Sequence, residues 1–147
     1  MNYSLAAMRR FLFLSVCFVF VKMSSAQDCR LSSFPEVPFV GTSVVLGKNA
    51  QKMLSTLAAQ IIENPSCSVR VTGYCASGKV AQQRSWDRVN AVIQYFVNKE
   101  GISPNRFLFV YGQEGGNCNF IDLEPTSSED GPHTVPAPHP NYNRTPH

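Results

Sequence analysis

Two amphipathic helix patterns alternate with short apolar strands, and this alternation constrains the fold of the 147-residue chain more than any other feature. The first helix pattern places apolar residues three or four positions apart, at Leu54, Leu57, Ala58, Ile61 and Ile62. The second runs from about Val80 to Glu100, with a stripe formed by Trp86, Val89, Val92, Ile93, Phe96 and Val97. Stripes with this spacing are typical of helices that pack one face on a core, so we expect these side chains to be core residues.

Strand patterns precede, separate and follow the two helix patterns. Residues 37–42, 68–74 and 106–112 are rich in β-branched and aromatic residues, and 120–123 forms a short fourth segment. The third segment is the most apolar and is predicted to be central, whereas the fourth is predicted to be an edge strand. Because helices commonly connect parallel strands, this order predicts an α/β layer in which both helices pack on one sheet.

The N-terminal pattern is typical of a secretory signal peptide. Two arginines precede a largely apolar run of 11 residues, 11–21, and small residues follow it up to Ala26. Cleavage after Ala26 removes 26 of the 147 residues and leaves 121. An uncleaved anchor helix is the alternative, but Lys22 interrupts the run well before the roughly 18 residues that a membrane span needs.

The charge balance argues against nucleic acid as a partner. The formal net charge is +3, but three of the thirteen basic residues lie in the predicted leader, which holds no acid. Ten basic and ten acidic residues remain, so no basic surface for nucleic acid or anionic lipid is expected. We expect an exported, periplasmic protein with no transmembrane segment in the mature chain, and its association with the outer membrane stays open.

Composition changes at Glu124. Most of the prolines and all three histidines lie in residues 124–147, together with few apolar residues. This composition predicts a disordered tail after a lead-in at 27–36 and a folded domain at 37–123. The tail histidines could bind a metal weakly, but a flexible proline-rich segment is the favoured interpretation.

Four segments, taken together, resemble the OmpA-like (peptidoglycan-associated) periplasmic domain. In chain order they read LSTLAAQIIENP, VRVTGY, SWDRVNAVIQYFVNKEGISPNRF and YGQEGG. The resemblance covers about residues 37–123. It implies an α+β two-layer sandwich with the order β-α-β-α-β(-β), in which the helices pack on a small mixed sheet.

The resemblance also implies binding of peptidoglycan rather than catalysis. Domains of this family hold the diamino acid of the stem peptide between a carboxylate after the second strand and an arginine on the second helix. An arginine fork suits this role because it grips a carboxylate through two hydrogen bonds. Arg88 matches the arginine, whereas Ala76 stands where the family has the aspartate, so half of the usual clamp is absent.

Four neighbours of Arg88 and Ala76 are further candidate ligand-binding residues. Arg84 lies one helical turn before Arg88 and could share its role or be solvated. Ser77 and Gly78 could offer backbone amides to an anion, although such residues more often cap the helix. Tyr74 could offer its hydroxyl to a ligand or pack at the end of the strand.

The cysteines outside the leader number four, which in an oxidising compartment predicts two disulfides with three possible connectivities. With parallel strands, Cys75 and Cys118 lie at the same end of the sheet, and Cys67 lies at the opposite end near Cys29. Cys67 and Cys75 are about 26 Å apart along one extended segment, too far for a bridge. We therefore predict the pairs Cys75–Cys118 and Cys29–Cys67.

An enzyme has no support in the sequence, because every histidine lies in the tail and no base is placed near Cys75. No cofactor or metal site is expected. Two functions stay open: peptidoglycan binding, and a degenerate scaffold that contacts another envelope protein. A concave polar pocket formed by residues 75–79 and Arg88 favours the first, and a flat apolar surface favours the second.

Overall fold

The computed structural model describes residues 29–127 and 135–139, so the predicted leader and most of the predicted tail lie outside the described residues. Within these residues two helices pack on a four-stranded sheet. The elements are β1 (Val37–Pro38), α1 (Lys48–Glu63), β2 (Ser68–Tyr74), α2 (Lys79–Asn98), β3 (Phe107–Gln113) and β4 (Phe120–Thr126). The fold is therefore α+β, with two helices on a small mixed sheet, as predicted.

The strand order is β1-β4-β2-β3, and it differs from the sequence prediction in two places. β2 and β3 are parallel, as expected for strands that a helix connects. However, β4 inserts between β1 and β2 and pairs antiparallel with both. The predictions of a central third strand and an edge fourth strand are therefore wrong. β3 is apolar because Phe107 lies under α2, where its ring stacks on Phe96 at 5.2 Å, and not because the strand is central.

β1 is shorter than the predicted strand at 37–42. The chain turns after Val40, and Gly41 has a φ of 53°, a backbone region that favours glycine. The carbonyl oxygens of Gly41 and Ser43 then accept hydrogen bonds from Arg88 instead of joining a strand ladder. This turn carries the chain from the sheet edge to α1.

The core lies between the helices and one face of the sheet. It includes Leu54, Leu57, Ala58 and Ile61 of α1 and Val89, Ile93 and Phe96 of α2, as the helix patterns predict. Ile62 is 56% exposed, and Trp86 is only partly buried at the edge of the core. No helix in residues 29–127 and 135–139 is long and apolar enough to cross a membrane.

The ordered part of the chain does not stop at the expected boundary, residue 123. Residues 124–126 continue β4 and pair with the first three residues of β2. Val135–His139 also has a defined position, because Val135 packs against the core beside α2. The backbone of this segment also makes two hydrogen bonds to α2, which together with Val135 hold it in place.

Candidate functional site

The loop after β2 is tied to the loop between β3 and β4. Cys75 has a φ of 80°, which is uncommon for a residue other than glycine. It forms a disulfide with Cys118, with 5.1 Å between the Cα atoms. A second disulfide joins Cys29 and Cys67, whose Cα atoms are 4.8 Å apart. These are the two pairings that the sequence analysis predicts, and the first one fixes two loops at the same end of the sheet.

An open pocket of about 380 Å³ lies between these two loops. One wall is formed by residues 75–77, and the other by residues 113–116 together with Cys118. Glu114 carries the only charge within this lining, which consists of described residues. The surface around the loop after β2 is therefore concave, with backbone and polar groups in its walls, and it is not a flat apolar face.

Arg88 does not line this pocket but lies behind it, 1% exposed. Its Nε donates to Ser43 O at 2.9 Å, one terminal nitrogen donates to Gly41 O at 2.6 Å, and the other donates to Cys118 O. Its guanidinium also lies over the ring of Phe39, 5.0 Å from the centroid. The side chain proposed from the sequence as a ligand group thus joins the turn after β1 to a wall of the pocket.

Burial, together with a smaller effect of the nearby positive charge of Arg84, lowers the pKa of Arg88 from 12.5 to about 10. The two guanidinium groups therefore lie close enough to interact. Arg84 is only partly buried, and no acidic side chain in the described part of the chain lies within ion-pair distance of it. Arg84, like Arg88, is not among the residues that line the pocket, but of the two arginines it is the one that solvent can reach.

Tyr74 packs at the end of its strand rather than offering a free hydroxyl. Its hydroxyl donates to the Asp122 carboxylate, and a Cβ atom at Gly116 would overlap its ring. The hydrogen bond to Asp122, with smaller effects of burial and nearby carboxylates, raises the pKa of Tyr74 to about 12. Tyr74 therefore supports the pocket wall at Gly116.

Ser77 and Gly78 are exposed where the chain enters α2. Gly78 is the N-cap residue of α2, and no N-cap side chain bonds to the first backbone amides of the helix. Ser77 lines the pocket, so the positive end of the helix dipole lies directly beside it. Capping, the more common role for such residues, is not the role of Ser77 here.

Two structural residues near the pocket, Ser85 and Gln82, were not among the sequence candidates. Ser85 accepts a hydrogen bond from Gly112 N at 2.9 Å and lies against Gly73, where an added Cβ would come within 2.6 Å of its Oγ. Gln82 donates to Ala76 O at 2.9 Å and so holds the loop after β2. Polar residues on a helix face give no sequence signal of such contacts.

Arg106 is a further residue that sequence reasoning missed, although it lies in the NRF motif that carries the resemblance. Its Nε donates to Cys67 O at 2.7 Å, and its Nη2 donates to Ile61 O at 3.0 Å and to Asn64 O at 2.8 Å. These carbonyls end α1 and lead into β2. Arg106 therefore adds donors at the C-terminal end of α1, where Ile61 O and Asn64 O each also accept one backbone N–H.

The side chains at this end of the sheet offer hydrogen bonds and charge to a ligand. Cys75 is oxidised in a disulfide and has no thiolate to act as a nucleophile. Within residues 29–127 and 135–139, no three His, Cys, Asp or Glu side chains form a group that could hold a metal ion. The groups that remain for a ligand are the Glu114 carboxylate, the Arg84 guanidinium and the amides at the start of α2.

Solved structures of similar fold come from three bacteria. The OmpA-like domain of FopA1 from Francisella tularensis is 17% identical, covers 62% of this chain and 70% of its own, and has a TM-score of 0.51. The peptidoglycan-associated lipoprotein of Burkholderia pseudomallei is 16% identical over 62% of this chain and 89% of its own, with a TM-score of 0.52. The C-terminal domain of Helicobacter pylori MotB is 13% identical over 63% and 84%, also with a TM-score of 0.52.

No protein-family sequence model matches the chain, and a search of curated protein sequences finds no match. The likeness is therefore one of three-dimensional structure, at low sequence identity. It agrees with the motifs on which the sequence resemblance depends. This chain has the fold of OmpA-like domains.

Proposed function

We propose that the protein is a non-catalytic module of the bacterial cell envelope, located in the periplasm, that binds peptidoglycan through the carboxylate of a stem peptide. The observation that carries the proposal is the pocket at the C-terminal ends of β2 and β3, beside the uncapped start of α2. One protein with the same fold is itself named a peptidoglycan-associated lipoprotein.

In this proposal the two arginines of α2 have different roles. Arg88 has three carbonyl acceptors and is almost fully buried, so a ligand could use it only by displacing one of them. Arg84 is partly exposed and lies on the same face one turn nearer the start of the helix. Arg84 therefore grips the ligand carboxylate, and Arg88 supplies positive potential from behind while it holds the loops in place.

The first amides of α2 add to the attraction for an anion. Helix N-termini present backbone N–H groups and a partial positive charge, and here no side chain competes for them. Ser77, which lines the pocket, can donate its hydroxyl to the same carboxylate. These donors can bind an anionic group beside α2, at the side of the pocket that does not hold the Glu114 carboxylate.

The ammonium group of a stem-peptide diamino acid needs a negative partner, and Ala76 cannot provide one. Glu114 lies in the opposite wall of the same pocket. A carboxylate from the loop between β3 and β4 therefore replaces the one that the family carries after its second strand. Peptidoglycan binding then needs both Arg84 and Glu114, since each holds one end of a zwitterion.

The test is co-sedimentation of the mature protein with purified peptidoglycan sacculi. We expect the wild type to pellet, and Arg84→Ala and Glu114→Gln each to bind about tenfold or more weakly, since a charged hydrogen bond contributes about 1.5–3 kcal/mol. Arg70→Ala is the matched control, because Arg70 is an exposed arginine whose side chain pairs with Glu124 at 3.4 Å, outside the pocket lining. Far-ultraviolet circular dichroism verifies that each variant is folded.

Failure of the wild type to pellet would refute the peptidoglycan proposal and leave a scaffold that contacts another envelope protein.

One observation favours that second function. Val40 and Val45 are 84% and 73% exposed at a groove of about 470 Å³ near the start of α1. Exposed aliphatic side chains beside a groove are typical of protein contacts, so Val45→Asp is the variant with which to test a partner's binding.

A further inference from the structure

The segment Val135–His139 occupies a surface of α2 that the proposed peptidoglycan site does not use. The indole N–H of Trp86 donates to Val135 O at 2.8 Å, and the backbone N–H of His139 donates to Gln83 Oε1 at 3.1 Å. These two contacts hold the two ends of a five-residue segment. Gln83 is 2% exposed, so its side chain is ordered and its amide group also bonds to Asp87 at 3.0 Å.

The composition of the segment fits the surface beneath it. Its sequence is VPAPH, in which Pro136 and Pro138 favour an extended conformation and lack backbone N–H groups. Trp86 packs its ring against Phe109, with 5.5 Å between the centroids, which leaves its N–H directed at the segment. Proteins commonly recognise extended proline-rich peptides with an aromatic surface that also carries a hydrogen-bond donor for a peptide carbonyl.

We propose that Gln83 and Trp86 form a binding site for proline-rich peptide segments, and that Val135–His139 is its tethered occupant. The partner is an extended, proline-rich segment with a small aliphatic residue whose carbonyl faces Trp86 and a backbone N–H that faces Gln83. Such a segment of another exported protein binds by displacing the tethered one. This proposal is independent of the peptidoglycan site.

The fit of the tethered segment is good but not complete. Its two backbone hydrogen bonds are short, and Val135 packs against the core. However, His139 Nε2 is buried and has no hydrogen-bond partner within the described residues. Because a buried polar atom without a partner weakens binding, a competing segment without this group can replace the native one.

The tether sets the affinity that the site must have. Eight residues, 127–134, lie between the end of β4 and the segment. A short tether gives an effective concentration of about 1 mM, so the segment occupies its site most of the time only if its dissociation constant is below that value. We therefore expect the free peptide TVPAPHP to bind the vacated site with a dissociation constant below about 1 mM.

The test converts the tethered segment into a free peptide after the protein has folded. Residues 128–134 of the full chain are replaced by a specific protease site, the folded protein is cut, and the released peptide is removed. Trp86 is the only tryptophan of the chain, so its fluorescence reports on this site alone. We expect emission to move to longer wavelength on removal of the peptide, and to return in a saturable way when TVPAPHP is added.

Two controls separate peptide recognition from general effects. A peptide with its prolines replaced by alanine is expected to bind at least severalfold more weakly. In the uncut chain, Val135→Asp is expected to shift the emission, whereas Val45→Asp, at a position that is 73% exposed, is not. Circular dichroism shows whether the cut protein keeps its fold.

Three results would overturn the proposal. Unchanged emission after the peptide is removed would mean that the segment does not cover Trp86. A shift that TVPAPHP at 1 mM does not reverse would mean that the site does not recognise the free peptide. Loss of the circular dichroism signal on cutting would mean that the segment is an integral part of the fold and not a ligand of it.

Discussion

Replacing Arg88 with alanine is expected to destabilise the domain strongly, because the side chain joins two loops through three backbone carbonyls. Its partners are Gly41 O and Ser43 O after β1, and Cys118 O in the pocket wall. Truncation leaves three acceptors without their donors and a void where a 1%-exposed arginine had been. The guanidinium also loses its position over the ring of Phe39.

The expected loss is about 3–5 kcal/mol of unfolding free energy, the range for removing one member of a buried charged network. The three charged hydrogen bonds alone would contribute a larger free energy, at about 1.5–3 kcal/mol each, but the guanidinium also loses solvation on burial. Burial is the main cause of the lowered pKa of Arg88, which agrees with a solvation penalty that offsets part of the gain. A total stability of about 5–15 kcal/mol would thus fall by roughly a fifth or more.

The assay is urea unfolding followed by circular dichroism. With a slope of about 2 kcal/mol per molar urea, a loss of about 4 kcal/mol lowers the midpoint by about 2 M while the slope stays unchanged. Arg88→Lys is expected to lose about half as much, since one ammonium cannot reach three carbonyls with the geometry of the planar fork. Arg84→Ala is the matched control on the same helix and is expected to lose less than about 1 kcal/mol.

A different result would reverse the roles assigned to the two arginines. If Arg88→Ala unfolds within about 1 kcal/mol of the wild type and no longer pellets with sacculi, Arg88 is a ligand group, and its contacts to the loops contribute little. If it is destabilised as expected, loss of sacculus binding in Arg88→Ala carries no information on ligand contact. Arg84→Ala is for that reason the variant that tests binding.

Four further predictions follow from contacts elsewhere in the domain. Gly73→Ala is expected to lose about 2 kcal/mol or more in urea unfolding, because its Cβ would lie 2.7 Å from Val89 Cγ2, while Gly47→Ala, with open space around it, stays near the wild type. Arg106→Ala is expected to lose about 1.5–3 kcal/mol, since Cys67 O loses its side-chain donor while Ile61 O and Asn64 O keep only a backbone N–H, and a midpoint within error of the wild type would contradict this. Tyr74 is expected to ionise near pH 12 in an absorbance titration, and Asp122→Asn is expected to lower this pKa towards 10.0. Because the pKa is raised in the folded state, the stability that it contributes is present below pH 10 and is lost as the pH rises through 12. Reducing either disulfide, which span 38 and 43 residues, is expected to cost about 4 kcal/mol in the chain-entropy model, and equal midpoints with and without reductant would rule that out.

The parts of the fold that could be predicted are those that local patterns determine. The stripe of α2 places Val89 and Phe96 in the core, and both are 0% exposed in the structure. The alternation in β2 and its helical connection to β3 predict a parallel pair. Once that pair is assumed, the two ends of β2 limit which cysteines can meet, and the predicted pairings are the ones present.

The position of β4 could not be predicted, because it depends on pairing between residues distant in sequence. Ser68 pairs with Thr126 and Gly73 with Ile121, so contacts across about 50 residues decide which strand is central. The apolar content of β3 led to the wrong prediction that this strand is central, since burial under a helix and burial between two strands require the same residue types. Proline-rich composition likewise predicts that the tail builds no core, but it does not exclude a single apolar residue, Val135, from packing beside α2.

Of the five candidate ligand-binding residues, only Ser77 lines the pocket. The resemblance located it after β2, and the pocket lies there, between the loops that the Cys75–Cys118 disulfide joins. What no local pattern shows is that the wall holding Cys118 is also bonded to Arg88, and that Gln82 holds Ala76 from the other side. Two loops restrained at three points lose little entropy when a ligand binds between them. A ligand that binds weakly through its charges benefits from this low entropy cost. Arg88 therefore serves the proposed site better by holding the pocket wall in place than by contacting the ligand.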